Sequence, residues 1–161
     1  MSQVFYTRHA DETIRKLSKM FGAVLVTGSR QVGKTTLLRE VTGDAGYVTL
    51  DDKLQLMNAV GQSGTFFKDN PPPVFVDEVQ HAPNLFSQIK IILDREKKKG
   101  QFYLSGSQQF AMMKNVSESL AGRLGILNLQ GLSLRELYGV SFRERFLPTD
   151  EYFEKRQKEK T

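Results

Sequence analysis

The chain has 161 residues, 39% hydrophobic and 25% charged, which is the composition of an ordinary globular domain rather than a disordered segment. It contains no Cys and only two His, His9 and His81, so disulfide frameworks, thiolate metal sites and cysteine catalysis are excluded. Its 23 Lys and Arg against 18 Asp and Glu give a net charge of +5, which permits binding to phosphate or nucleic acid without requiring it.

No apolar run approaches the roughly 18 residues needed to span a bilayer, and the first residues, MSQVFYTRHADETIRKL, lack an apolar signal core. A cytoplasmic protein with no membrane partner is expected. Short apolar runs alternate with amphipathic stretches, the pattern of repeated strand–helix units around a parallel sheet. A helix is expected over Asp11–Met20, then a buried strand over Gly22–Thr27. A glycine loop follows, leading into a helix carrying Leu37, Leu38 and Val41. Tyr47–Leu50 reads as a second strand. Leu54, Leu56, Met57 and Val60 suggest a short helix, with Phe66 and Phe67 as apolar anchors before Pro71–Pro73 stops helical continuation.

Val74–Glu78 reads as a third strand ending in two carboxylates, and Leu85, Phe86, Ile89, Ile92 and Leu93 form a helical stripe ending near Lys99. The run Lys97–Lys99 is either a solvated helix end or a nucleic-acid contact. Phe102–Leu104 reads as a fourth strand, Gln108–Ala121 as a helix, and Leu124–Leu129 as a fifth strand. Ser133 with Glu136 three residues on has the form of a capping box. Residues 148–161 carry four acidic and four basic side chains and are expected to form a charged, flexible tail after a domain spanning 1–147.

Gly28-Ser29-Arg30-Gln31-Val32-Gly33-Lys34-Thr35 satisfies every fixed position of the phosphate-binding loop G-x-x-x-x-G-K-[ST]. Gly28 and Gly33 allow backbone angles that turn successive N–H groups inward, Lys34 reaches the β- and γ-phosphates, and the Thr35 hydroxyl suits Mg²⁺. With Thr36 the loop enters a helix whose positive end faces the anion. Asp77 is the candidate second Mg²⁺ ligand, and Glu78 the candidate base for an attacking water. The absence of an N-K-x-D guanine-reading motif favours ATP over GTP, and water is the expected acceptor.

The segments GSRQVGKTTLL, VFVDEVQHAP, YLSGSQQF and SESLAGRL, in this order, resemble the prokaryotic AAA+-like ATPases whose N-terminal P-loop domain precedes an uncharacterised second domain. The resemblance runs from about Phe5 to Leu137. It implies a three-layer α/β sandwich with a parallel five-stranded sheet in the order 5-1-4-3-2, binding ATP and Mg²⁺ at the C-terminal strand edge. It implies a phosphate-sensing polar residue after the fourth strand: Ser107 is the first choice, with Ser105 and Gln108 as alternatives, although Ser107 also suits a helix cap. Arg123 occupies the place of a trans-acting arginine finger, which requires a homo-oligomer; its alternative role is to stabilise a helix end. Phe5, Tyr6 and Arg8 are candidates for stacking on the adenine, or for a core or surface role. The resemblance further implies that the chain is the ATPase domain of a longer protein, acting as a switch on that protein's remainder or on a protein partner. The alternatives are a nucleotide-binding module with little turnover and a nucleic-acid-associated ATPase.

Overall fold

The computed structural model describes residues 6–107, 119–139 and 149–158. The helix expected over residues 108–121 and the Gln108 candidate fall wholly or mostly outside them, as does Phe5. The chain divides into two compact units, residues 10–131 and residues 1–9 with 132–161, a division that the composition does not reveal.

The larger unit is a parallel five-stranded sheet with β1 at Ala23–Gly28, β2 at Gly46–Thr49, β3 at Val74–Asp77, β4 at Phe102–Ser107 and β5 at Leu124–Asn128. Their order is β2-β3-β4-β1-β5, which is the expected 5-1-4-3-2 read from the other edge. Every residue of β1 and β3 is buried, because these strands lie inside the sheet with helices over both faces. The edge strands β2 and β5 are more open.

The two-residue pleat sorts the side chains of β1 into two cores. Ala23 and Leu25 face a cluster with Phe66, Phe67, Leu85, Ile89 and Leu93, while Val24 and Val26 face Ile14, Leu37, Leu38 and Val41. The first cluster is covered by α4 (Ser63–Asp69) and α5 (Leu85–Glu96), the second by α1 (Ala10–Met20) and α2 (Lys34–Thr42). The sheet with its helical layers is the three-layer sandwich that the family resemblance implies, and its parallel strands are what the strand–helix alternation predicts. Helix α5 ends at Glu96, about a turn before the expected Lys99, because Lys97 adopts φ 53° and its N–H closes on the Leu93 carbonyl at 3.0 Å.

One expected apolar face turns outward. Helix α3 (Lys53–Gly61) is capped by Asp52, which accepts from the N–H groups of Leu54 and Gln55 at 2.8 and 3.1 Å. Its buried contact is Ala59 with the partly buried Leu56, whereas Leu54, Met57 and Val60 are exposed, since Phe66 and Phe67 of the next helix already fill the core.

The smaller unit contains α6 (Leu134–Leu137) and α7 (Asp150–Lys158). The capping box is present in both directions: Ser133 Oγ accepts from Glu136 N–H at 3.2 Å, and Glu136 Oε2 accepts from Ser133 N–H at 2.8 Å. The segment expected as a flexible tail is helical over Asp150–Lys158. Acidic residues in its first turn, basic residues in its last and a Glu151–Lys155 pair suit the helix dipole, and Tyr152 is buried.

Candidate functional site

The C-terminal ends of β1, β3 and β4 converge at one edge of the sheet, and the phosphate-loop sequence bridges β1 to α2. Gly28 has φ 151°, and a Cβ there would lie 2.3 Å from the Leu129 carbonyl oxygen, so only glycine fits beneath the loop. Gly33 has φ 91° and Gln31 φ 63°, placing left-handed turns on the way into the helix. Val32 packs against the core, while Arg30, Gln31, Gly33, Lys34, Thr35 and Thr36 line a cleft of about 600 Å³ together with Asp51, Glu78 and His81.

Lys34 is 5% exposed, and its ammonium donates to the Gly28 and Ser29 carbonyls at 3.1 and 2.8 Å. A buried cation held only by carbonyl oxygens is balanced for an anion to complete its shell. Thr35, the second residue of α2, donates its hydroxyl to Asp77 Oδ2 at 2.9 Å. Asp77, the last residue of β3, is also 5% exposed, and it accepts from Tyr47 at 3.2 Å on Oδ2 and from Ser105 on Oδ1. Two oxygen donors of this kind suit a hard divalent cation that takes its remaining ligands from phosphate and water, so Thr35 and Asp77 fit Mg²⁺.

Glu78 leaves the strand in a left-handed conformation, φ 57° and ψ 44°, and starts a short 3₁₀ turn over Val79–His81. Its N–H donates to Ser105 Oγ at 3.1 Å, and its Oε2 accepts from the Gln80 side-chain amide. The other end of that amide, Gln80 Oε1, is the one buried side-chain polar atom without a partner among the described residues, at a cost of roughly 1–3 kcal/mol. His81 Nε2 lies 3.7 Å from Asp51 Oδ1 at the cleft rim.

The hydroxyl between the carboxylates is therefore that of Ser105. Ser107 sits two residues further on, paired in register with Gly28 beside the phosphate loop. The sequence reading ends the fourth strand at Leu104. The strand continues to Ser107, and Val76 pairs with Leu104, so Ser105 comes level with Asp77. Tyr47 was not foreseen. It reaches Asp77 from the edge strand β2, its ring packed at 5.3 Å from that of Phe75 and covered by the Arg39 guanidinium at 3.8 Å. Neither contact leaves a motif in the sequence.

Arg123 lies elsewhere. Leu124 pairs with Ala23, so Arg123 stands at the N-terminal strand edge, at the opposite end of β1 from the phosphate loop. There it pairs with Asp94, donates to the Ala121 carbonyl at 3.0 Å, and lines a second cavity of about 480 Å³ with Lys97, Lys98 and Lys99. Arg8, a candidate for the adenine, is buried in the smaller unit, where its Nε donates to Glu136 Oε1 at 3.0 Å, while Tyr6 is exposed.

A family model described as an AAA domain matches residues 21–138. An uncharacterized protein of Mycobacterium tuberculosis and one of Mycobacterium bovis are each 33% identical over 139 residues, covering 81% of this chain and 30% of the relative. The chain thus spans under a third of the length of these relatives. Among solved structures, the Signal Transduction ATPase with Numerous Domains protein with a tetratricopeptide repeat sensor from Pyrococcus horikoshii has the same fold. It aligns at a TM-score of 0.55 and 15% identity, over 98% of this chain and 28% of that one. No helix among the described residues is long and apolar enough to cross a membrane. The loop, the strand-end carboxylates, the sheet order and the family match agree, and the chain belongs to the AAA domain family of AAA+-like P-loop ATPases.

Proposed function

We propose that this domain binds ATP through residues 28–36 and hydrolyses it in a Mg²⁺-dependent reaction that serves as a conformational switch in a longer protein. The observation that carries this reading is the meeting of Lys34, Thr35, Asp77 and Glu78 at one strand edge beside a 600 Å³ cleft. Thr35 and Asp77 would hold the metal, which when bound neutralises charge on the β- and γ-phosphates. Lys34 contributes a fixed positive charge to the same oxygens. Glu78 takes a proton from the attacking water as the oxygen–phosphorus bond to the γ-phosphate forms and ADP leaves.

Calorimetric titration with ATP and Mg²⁺, followed by single-turnover phosphate release, tests the reading. Lys34→Ala is expected to abolish binding while leaving the fold intact. Glu78→Gln is expected to bind ATP normally and release phosphate about 100-fold more slowly, or worse. Unchanged ATP affinity in Lys34→Ala would remove the loop from the site. Wild-type turnover in Glu78→Gln would place the base elsewhere.

The position of Arg123 favours a second reading, in which one chain alone binds ATP with little turnover. Its guanidinium stands at the far strand edge with Asp94, so it would act only on a neighbour's nucleotide in a homo-oligomer. Turnover that rises with protein concentration and falls in Arg123→Ala would support that arrangement.

A further inference from the structure

Gln80 belongs to the Asp-Glu-Val-Gln run, yet the proposed chemistry gives it no role. Its side chain is placed at a local cost. The amide nitrogen donates to Glu78 Oε2, while the amide oxygen is buried with no partner. Reversing the amide would set its oxygen against the carboxylate, so the donor must face Glu78. The backbone of Glu78 is itself left-handed, which is uncommon for a residue with a side chain. Closing a 3₁₀ turn needs neither feature, and such costs gather where a particular geometry has to be held.

We infer that Gln80 is a positioning residue for Glu78, an inference that rests on the base role proposed for that glutamate. The backbone N–H of Glu78 is fixed on Ser105 Oγ, and its carboxylate is fixed at Oε2 by Gln80. The residue is thus held at both ends beside the cleft, with one carboxylate oxygen left to accept a proton from water. A glutamate held at the backbone alone would sample several rotamers, and only a fraction of them would place that oxygen on a reacting water.

Gln80→Met separates this role from a structural one. Methionine keeps the length of the side chain while removing both the donor to Glu78 and the unpaired oxygen. Single-turnover phosphate release is expected to fall about tenfold, with ATP affinity within about twofold of wild type and the melting midpoint unchanged or higher. A rate within about twofold of wild type would overturn the inference, as would a rate loss accompanied by matching losses of ATP affinity and melting midpoint. Glu78→Gln in the same assay keeps the two readings distinguishable, because wild-type turnover there removes the base role whatever Gln80 does. A readout independent of turnover is the pair of Gln80 side-chain amide NMR signals, assigned by their loss in Gln80→Met. These are expected to shift and to exchange faster with solvent in Glu78→Ala, and signals indifferent to that change would overturn the contact.

Discussion

The carboxylate of Asp77 carries three hydroxyl donors, from Thr35, Tyr47 and Ser105, and is almost wholly removed from water. A buried charge survives only when its lone pairs are filled in this way, and here the donors come from α2, β2 and β4. Ser105 has the most demanding position, since its hydroxyl donates to Asp77 and accepts the Glu78 N–H at the same time. Ser105→Ala would leave that N–H unpaired and free one oxygen of Asp77, so a stability loss of about 1–3 kcal/mol is expected. Phosphate release should slow by about tenfold or more, because both carboxylates lose a fixed point. Ser107→Ala, beside Gly28 rather than between the acids, is expected to change both quantities less. Chemical denaturation and single-turnover assays on the two variants rank them, and a larger rate loss at Ser107 would assign the phosphate-sensing role to that residue.

At the scale of elements, the loop over residues 28–33 takes its shape because β1, α2 and the chain after β5 converge on one glycine. The 2.3 Å approach of the Leu129 carbonyl to the place of a Gly28 Cβ is fixed by a backbone hydrogen bond, Leu129 N–H to Thr27 O at 2.7 Å. Gly28→Ala must therefore displace β5 or the loop, and a loss of about 2 kcal/mol or more is expected together with weakened ATP binding. Gly43→Ala is the control. Gly43 also has a positive φ, 56°, but has open space around it, so it should cost only about 1 kcal/mol and leave ATP affinity alone. Equal effects of the two substitutions on stability and affinity would show that steric closure at Gly28 does not shape the loop. The elements themselves were largely legible because each has a local signal: buried apolar runs for β1 and β3, the glycine loop for α2, the capping box for α6. What remained hidden depends on register and on distant convergence. Ser105 stands only as an alternative to Ser107 in the sequence because periodicity gives no strand end, and Tyr47 carries no signal because its contact with Asp77 joins residues 30 positions apart. The outward face of α3 has no signal in the sequence either, because hydrophobicity alone does not say which of two neighbouring helices fills a cavity.

At the scale of the whole molecule, one carboxylate links the stability of the smaller unit to pH. The smaller unit joins residues 1–9 to residues 132–161, and a buried carboxylate ties these distant stretches together. Glu136 is 8% exposed and accepts from Arg8 Nε at 3.0 Å and the His9 N–H at 2.8 Å, as well as from its own capping partner. Burial alone would raise its pKa, but the hydrogen bonds from Ser133 N–H, His9 N–H and Arg8 outweigh it and lower the pKa from 4.5 to about 2. A carboxylate with a depressed folded pKa adds stability that is fully present above 4.5 and is lost as the pH falls towards 2. The difference corresponds to about 3 kcal/mol. Wild type and Glu136→Gln should therefore differ most in stability above pH 4.5 and converge as the pH is lowered through that window. Hydrogen exchange of the α6 amides across the range reads this locally, where the acid response of other carboxylates cancels between the two proteins. A gap that stays constant down to pH 2 would mean that Glu136 contributes through shape and capping rather than through its charge.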